Sequence, residues 1–295
     1  MADTIMNIPV ETNTSAEEAA TDLPLNTRFT LGPEITPEQH AFLDKHGFLI
    51  FEQAISAEEV SAVLRDLDAV QEKWIAEGRK MNNGVPIFWG KDEDGQPFVQ
   101  RFNFLSKFSP TVDKIVHDKR FDAVKNLIGK NTRVGSDERD GVVLNRFMNV
   151  PGSIYKRLGW HTDGLRDLFL LRMPKRMLNV GLHYNDIGPE DGGLRLIPGT
   201  HNQGFLKMCF AKLYFLSHKA DPNEIMVRTK AGDLTVHDGR LWHRVECSAK
   251  TGRASLRHSM YVPYLTDAPL VKDAKSRTAF YHQIGRLLRW LKGSL

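Results

Sequence analysis

Hydrophobic and polar residues follow a helical period near the start of the chain and a strand-like pattern over most of the rest. Thr36, followed by a proline and then by Gln39, has the sequence of a helix N-terminus with a capping box, so we predict a short helix that ends at Gly47. The apolar run 48–51 predicts a buried strand. A second capping box begins at Ser56 and predicts a longer amphipathic helix, because apolar residues follow at helical spacing: Val60, Val63, Leu64, Leu67, Val70 and Trp74.

From about Gln96 the pattern changes to short β-prone runs separated by Gly, Pro, Asn and Asp. One predicted helix, at about 110–128, interrupts them. Several short strands with turn signals predict a mainly β chain with flanking helices, folded as a sandwich or jelly roll. The β-prone runs are Phe98–Leu105, Val142–Met148, Met177–Tyr184, Leu194–Ile197, Asp233–His237 and Ser255–Tyr264.

Composition places the chain among ordinary globular proteins. It has 295 residues, of which 41% are hydrophobic and 26% charged, so we expect one large domain. The two cysteines, Cys209 and Cys247, cannot form a disulfide framework and favour a reducing compartment. The first 25 residues contain no Lys or Arg, unlike a signal or transit peptide, and no apolar run is long enough to span a bilayer. We therefore predict a cytoplasmic protein.

The two ends of the chain differ in charge, although the net charge is only +4. We predict a disordered acidic leader over 1–30, the folded domain over 31–268 and a basic amphipathic helix over 269–295. That helix either packs on the domain or associates peripherally with the inner face of an anionic membrane. The chain shows no zinc finger and no basic stripe with stacking aromatics, so we expect no nucleic-acid partner.

The most informative segment is Trp160-His161-Thr162-Asp163-Gly164. Residues two apart on a strand project to the same side, so His161 and Asp163 can present an imidazole and a carboxylate to one metal ion. A third ligand can come from the segment 232–243, which ends a strand at His237 and reaches His243 after a turn. Two His and one carboxylate with an open face are the ligand set of non-haem Fe(II) oxygenases.

Several motifs in order resemble those of the phytanoyl-CoA dioxygenase family of Fe(II)/2-oxoglutarate-dependent oxygenases. The resemblance extends over nearly everything from Thr36 to Tyr264. It rests on the Thr-Pro-Glu-Gln helix followed by His46-Gly47-Phe48, the helix after Ser56, Val150-Pro151-Gly152, the Trp160–Asp163 segment, Glu190–His201 with its Pro-Gly-Thr-His turn, and the Gly232-Asp233 strand leading to His243.

The resemblance implies a double-stranded β-helix of the cupin-like, jelly-roll type, with Fe(II) as cofactor and 2-oxoglutarate and O2 as co-substrates. It also implies that His161, Asp163 and His243 are the iron ligands and carry the catalytic activity. His237 is the competing candidate for the third ligand, and His243 is favoured because the later His, after the turn, is the ligand in the family.

A 2-oxoglutarate oxygenase needs a cation for the distal carboxylate of the co-substrate, and a guanidinium can pair with it bidentately. In the family this Arg follows the last His ligand by ten or eleven residues, and Arg253, ten residues after His243, fits that position. Arg257 is the alternative on the same predicted strand. Asn145 is a weaker candidate for contacting 2-oxoglutarate.

The resemblance implies hydroxylation of a C–H bond in a small-molecule or lipid-linked substrate. Because of the basic tail, an anionic glycolipid such as the Kdo sugar of lipopolysaccharide is one hypothesis, with Arg257 or Arg166 meeting its carboxylate. A biosynthetic oxygenase acting on a soluble metabolite is another. A catalytically idle jelly-roll binding protein and a metal-dependent hydrolase or isomerase are the alternatives from other classes.

Overall fold

A computed structural model describes residues 23–151, 153 and 155–279 of the chain. Both predicted capping boxes form. The Thr36 hydroxyl accepts a hydrogen bond from the Gln39 backbone N–H and the Gln39 side chain accepts one from the Thr36 N–H, and Ser56 and Glu59 repeat the arrangement. The described α-helices are α1 (Pro37–His46), α2 (Ala57–Ala76), α3 (Pro110–Val116), α4 (Asp122–Asn126), α5 (Leu165–Phe169) and α6 (Phe205–Phe210).

The strands form two main sheets and a short hairpin. The described strands are β1 (Phe29–Thr30), β2 (Phe48–Glu52), β3 (Met81–Asn82), β4 (Val85–Pro86), β5 (Phe88–Lys91), β6 (Pro97–Phe102), β7 (Arg133–Val134), β8 (Val143–Phe147), β9 (Leu158–His161), β10 (Leu178–His183), β11 (Gly193–Leu196), β12 (Ile225–Met226), β13 (Leu234–Asp238), β14 (His243–Glu246) and β15 (Arg257–Leu265). The large sheet has the order β1-β2-β13-β10-β15-β8-β6-β5, with β7 also paired to β15, and the small sheet has the order β12-β11-β14-β9. Strands β3 and β4 form the hairpin.

The two faces of the large sheet differ in polarity. Successive side chains of a strand point to opposite faces. Apolar residues of one face pack in a single buried cluster with helices α1, α2 and α3, and polar residues occupy the positions between them. The polar face is directed towards the small sheet, since the His237 ring of β13 lies 4.7 Å from the His243 ring of β14, measured between centroids. Its polar residues include Asn145, Asn179, Thr235, His237, Ser259 and Tyr261.

This architecture confirms the predicted mainly β fold with flanking helices. One predicted helix differs: 110–128 is broken into α3 and α4 by a 3-10 turn at Lys119–Phe121. The cause is local, because the Asp118 carboxylate accepts a hydrogen bond from the Arg120 N–H and begins a new turn there.

Parts of the predicted leader and tail lie outside the described residues, namely 1–22 and 280–295. Within the predicted leader, β1 pairs in parallel with β2, so ordered structure starts before residue 31. Between 269 and 279 the chain forms no helix, and Val271 bridges to Glu138. None of the helices in the described part of the chain combines the length and apolar character needed to cross a bilayer.

Asp233, just before β13, fixes the strand that reaches the interior between the sheets. Its side chain is fully buried. The carboxylate accepts hydrogen bonds from the Arg28 guanidinium at 2.6 Å, the Gln53 N–H at 3.1 Å and the Lys230 N–H at 2.7 Å. It therefore connects β13 to the N-terminal segment and to the end of β2.

We expect Asp233→Ala to lower the free energy of unfolding by about 3 kcal/mol, because it leaves a guanidinium and two backbone donors without their shared acceptor. Asp137→Ala is the control, since the Asp137–Lys107 ion pair is half-exposed and its loss should cost less than about 1 kcal/mol. Urea denaturation followed by circular dichroism measures both. Equal losses in the two variants would contradict the role given to Asp233.

Candidate metal centre

The pairing of β9 with β14 brings two histidines together. His161 ends β9, His243 begins β14, and the two residues are direct partners in the antiparallel ladder. Asp163 follows His161 by two residues. One ligand atom from each of the three side chains lies within 4.8 Å of the others. The structure therefore brings together the three residues that the sequence proposed as iron ligands.

Both imidazoles are oriented by the backbone. The Nδ1 atom of His161 is 2.8 Å from the Gly159 carbonyl oxygen, and Nδ1 of His243 is 2.9 Å from the Leu241 carbonyl oxygen. Because a carbonyl can only accept, each Nδ1 donates a proton to its carbonyl, and each Nε2 is the ring nitrogen available to a metal ion. Burial holds the pKa of His161 well below its usual range, which keeps that ring neutral.

A side-chain hydrogen bond from β10 holds the carboxylate of Asp163. Its Oδ1 is 3.8 Å from His243 Nε2, while its Oδ2 accepts a hydrogen bond from the Asn179 side-chain amide at 3.2 Å. The backbone N–H of Asp163 donates to the Gly239 carbonyl at 2.7 Å. Gly239 has no space for a side chain, since a Cβ there would lie 2.7 Å from Met177 Cγ. Asn179 thus fixes Oδ2, and Oδ1 remains directed towards His243.

His237, the competing third ligand, lies beside this group. Its Nε2 is 3.8 Å from Asp163 Oδ2, and its ring centroid is 4.7 Å from that of His243. Burial lowers its pKa well below the usual value, so the ring is neutral. Among the described residues neither of its ring nitrogens has a hydrogen-bond partner.

A buried guanidinium lies on the same inner face. Arg257 begins β15 and shares a face with Tyr261. Burial raises the pKa of Tyr261, the charge of Asp163 adds to this rise, and the charge of Arg257 opposes it. The Arg257 side chain stacks on Phe147 and donates to the Glu246 carbonyl oxygen at 3.1 Å. In the described part of the chain no carboxylate pairs with it and its Nε has no partner. Burial lowers its pKa to about 10.

Arg253, the candidate favoured from the sequence, lies elsewhere. The chain forms a 3-10 turn at Gly252–Ser255, and β15 begins only at Arg257, so the position ten residues after His243 is still in a loop. The Arg253 side chain is 66% exposed and paired with Glu93 and Asp94. The predicted strand from 255 therefore starts later, and the structure does not bring Arg253 to the histidines.

The two remaining candidates also have partners. Asn145 lies on the inner face of β8, where its Oδ1 accepts hydrogen bonds from the Tyr155 hydroxyl at 3.0 Å and from Arg101 at 3.3 Å. Arg166, on α5, is bound to Asp167 and Asp267, each at 3.2 Å. Arg166 is therefore already neutralised, whereas Asn145 belongs to the interior network.

Sequence reasoning missed Asn179, Tyr261, Arg101 and Tyr155. Arg101 reaches from β6 to Asn145, and its charge acts on His161. The alternation Arg257, Ser259, Tyr261 was a readable signal, since it places polar groups on one face of a strand that is apolar on the other. Asn179 and Arg101 carried no such signal, because their contacts depend on strands far away in the sequence.

The donor set suits a divalent transition metal. The Nε2 atoms of two imidazoles and one carboxylate oxygen converge on one position. A facial set of two His and one carboxylate with open positions favours Fe(II). Fold and ligand set together define the class of jelly-roll, non-haem iron oxygenases.

Comparison with known proteins agrees with this class. The profile of the phytanoyl-CoA dioxygenase (PhyH) family matches residues 43–248. The chain therefore belongs to the phytanoyl-CoA dioxygenase family, as the motifs predicted. This is the family of Fe(II)/2-oxoglutarate-dependent oxygenases to which the sequence motifs pointed.

Individual relatives are more distant. Ectoine dioxygenases of Bordetella bronchiseptica and Bordetella parapertussis are each 26% identical over 174 residues, which is 57% of this chain and 50% of theirs. The chain thus matches half the length of these relatives. Among solved structures, HygX from Streptomyces hygroscopicus with nickel and 2-oxoglutarate bound has a TM-score of 0.57 at 18% identity, covering 83% of this chain and 89% of HygX. EctD from S. alaskensis has a TM-score of 0.56 at 17% identity, covering 84% and 85%.

We expect His161→Ala and His243→Ala each to weaken Co(II) binding by at least about 100-fold, because each removes one of three converging donors. Isothermal titration calorimetry of the metal-free protein measures the affinity. His201→Asn is the matched control, since His201 lies in the Thr200–Asn202 turn with Nε2 3.2 Å from the Asp44 carbonyl oxygen. Unchanged binding in either alanine variant would remove that residue from the ligand set.

Proposed function

We propose that the protein is an Fe(II)/2-oxoglutarate-dependent dioxygenase that hydroxylates a C–H bond of a small molecule. One observation carries the proposal: the His161, Asp163 and His243 donors share an interior with a buried guanidinium, Arg257, that pairs with no carboxylate among the described residues. A metal site needs the first feature, and an anionic co-substrate explains the second.

Iron bound together with 2-oxoglutarate and O2 would supply the oxidant. In the overall reaction 2-oxoglutarate loses CO2 and takes up one oxygen atom of O2 to give succinate, and the second oxygen atom enters the substrate C–H bond. The protein supplies orientation. His161 and His243 keep Nε2 available because their Nδ1 protons are bound to carbonyl oxygens. Asn179 holds one oxygen of Asp163, so that the other faces the metal position.

Arg257 orients the co-substrate. A buried cation is costly unless it is paired, and the distal carboxylate of 2-oxoglutarate provides that pair. Stacking on Phe147 and the bond to the Glu246 carbonyl hold the guanidinium in place before the anion arrives. Arg257 therefore replaces Arg253 as the proposed 2-oxoglutarate ligand.

The interior favours a polar small-molecule substrate. Arg101, Asn145 and Tyr155 form a hydrogen-bonded group on the inner face, and Arg101 also pairs with Asp140 at 2.7 Å. Such groups orient a ligand that offers hydroxyl, amide or carboxylate partners. A soluble metabolite suits this interior better than a lipid chain.

The relatives point in the same direction. Their names mention ectoine, and one HygX structure contains hygromycin B. The Kdo hypothesis has no support among them. Membrane association through the tail and a cytoplasmic location stay predictions, because residues 280–295 of the predicted tail lie outside the described part of the chain. The idle binding protein is disfavoured, since such a protein has no need of three converging metal donors.

With Fe(II) and O2, we expect the wild-type protein to form succinate from 2-oxoglutarate even without its prime substrate, slowly, and His161→Ala to form at least about 100-fold less. Mass spectrometry of succinate, with and without O2, measures this. His201→Asn should behave as wild type. Succinate formation that survives in His161→Ala, or that needs no O2, would contradict the proposed reaction.

We expect Arg257→Gln to weaken 2-oxoglutarate binding about 100-fold, because it removes the charge that pairs with the distal carboxylate. Arg253→Gln should change it less than about twofold, since that side chain is exposed and already paired with two acids. Anaerobic calorimetry on the metal-loaded protein measures both affinities. The reverse order of effects would return the role to Arg253.

A further inference from the structure

His237 is held against the metal centre with no binding partner. Its side chain is 1% exposed, and neither ring nitrogen is hydrogen-bonded to any described residue. A buried polar atom without a partner costs about 1–3 kcal/mol. Strand β13 lies between β2 and β10, which pair with its backbone and not with this ring. The partner must therefore come from whatever the interior binds.

The His237 ring borders the three converging metal donors, His161, Asp163 and His243. Its Nε2 is 3.8 Å from the Asp163 oxygen that Asn179 also binds, whereas His243 Nε2 is 3.8 Å from the other oxygen. The ring centroids of His161 and His243 are 4.1 Å apart, and those of His237 and His243 are 4.7 Å apart. His237 is thus a third imidazole next to the donor group, and neutral imidazole is the commonest metal ligand in proteins.

We propose that His237 binds the metal as a fourth protein ligand in the resting protein and leaves it when 2-oxoglutarate binds. The inference rests on the proposed metal centre. A chelating co-substrate needs the positions that the facial set leaves open, and a fourth protein ligand occupies one of them. The two therefore compete for the metal.

The hydrogen bonds explain why His237 is the ligand that leaves. Metal-binding histidines almost always donate their second ring N–H to a fixed acceptor. His161 and His243 do so, to the Gly159 and Leu241 carbonyls, whereas Nδ1 of His237 has no acceptor among the described residues. His237 is consequently the least anchored of the three imidazoles.

Competition makes a reciprocal prediction. If His237 stabilises the bound metal only when 2-oxoglutarate is absent, its removal weakens metal binding and strengthens 2-oxoglutarate binding by the same factor. A residue that merely filled space, or that hydrogen-bonded a substrate, would change neither affinity in this linked way.

The experiment uses the full-length protein, Co(II) as the metal probe and the variants His237→Gln and His183→Gln. Co(II) affinity and visible absorption are measured without and with saturating 2-oxoglutarate. His183 is the matched control, because it is 5% exposed on the neighbouring strand and its Nε2 is already bound to the Thr235 hydroxyl at 2.9 Å. Circular dichroism checks that both variants fold.

Without 2-oxoglutarate, we expect His237→Gln to weaken Co(II) binding at least about tenfold and to shift the Co(II) spectrum. With saturating 2-oxoglutarate, the same substitution should change the Co(II) affinity less than about twofold. His183→Gln should match wild type in both conditions. Equal Co(II) affinity and spectra in wild type and His237→Gln without 2-oxoglutarate would overturn the inference. A loss of Co(II) affinity that is equally large with saturating 2-oxoglutarate would contradict the proposal that 2-oxoglutarate displaces His237.

The failure of this inference is distinguishable from failure of the proposed function. If the wild-type protein takes up Co(II) and binds 2-oxoglutarate but His237→Gln does the same with equal affinities, only the fourth-ligand inference is lost. If the wild-type protein takes up no Co(II), the metal centre is lost and the inference with it.

Discussion

The antiparallel pairing of β9 with β14 is the constraint on which the metal centre depends. It sets His161 directly opposite His243, and the register shifts immediately beyond this pair, between His243 and Val245. Such irregularities in a ladder change where side chains point and are frequent beside active sites. If one of the two strands slipped by one residue, its histidine would turn to the other face of the small sheet, away from the interior and from the other histidine. The backbone carbonyls of Gly159 and Leu241 then fix which nitrogen of each ring is free.

The large sheet contributes by keeping its two faces chemically separate. One face packs its apolar residues against α1, α2 and α3 and supplies the core. The other face can carry Asn179, His237, Arg257 and Tyr261 because its partner is a polar interior and not a helix. The buried charge of Arg257 and the unpartnered ring of His237 are tolerable in a protein whose ligands complete them. Stability is thus supplied on one side of the sheet and binding capacity on the other.

Much of this arrangement was predictable from local sequence. The capping boxes at Thr36 and Ser56, the short β-prone runs and the spacing of His161 and Asp163 depend on neighbouring residues. They were sufficient to predict the helices, the β architecture and the proximity of the His161 and Asp163 side chains. The position of the proposed 2-oxoglutarate cation was not predictable in this way, because it depends on where β15 begins. The turn at Gly252–Ser255 delays the strand, so that Arg253 is exposed and Arg257 is buried. The contacts of Asn179 and His237 with the Asp163 carboxylate needed the strand order, because these residues are 16 and 74 positions from Asp163 along the chain.

We propose that one interior holds both iron and 2-oxoglutarate. Anaerobic addition of Fe(II) and then 2-oxoglutarate to the purified protein is the decisive experiment, since a chelate of the two gives a weak visible charge-transfer band. We expect the band to appear only when both are present, to fade when O2 is admitted and to be absent in Asp163→Ala. An iron-loaded protein that shows no band at saturating 2-oxoglutarate would contradict it.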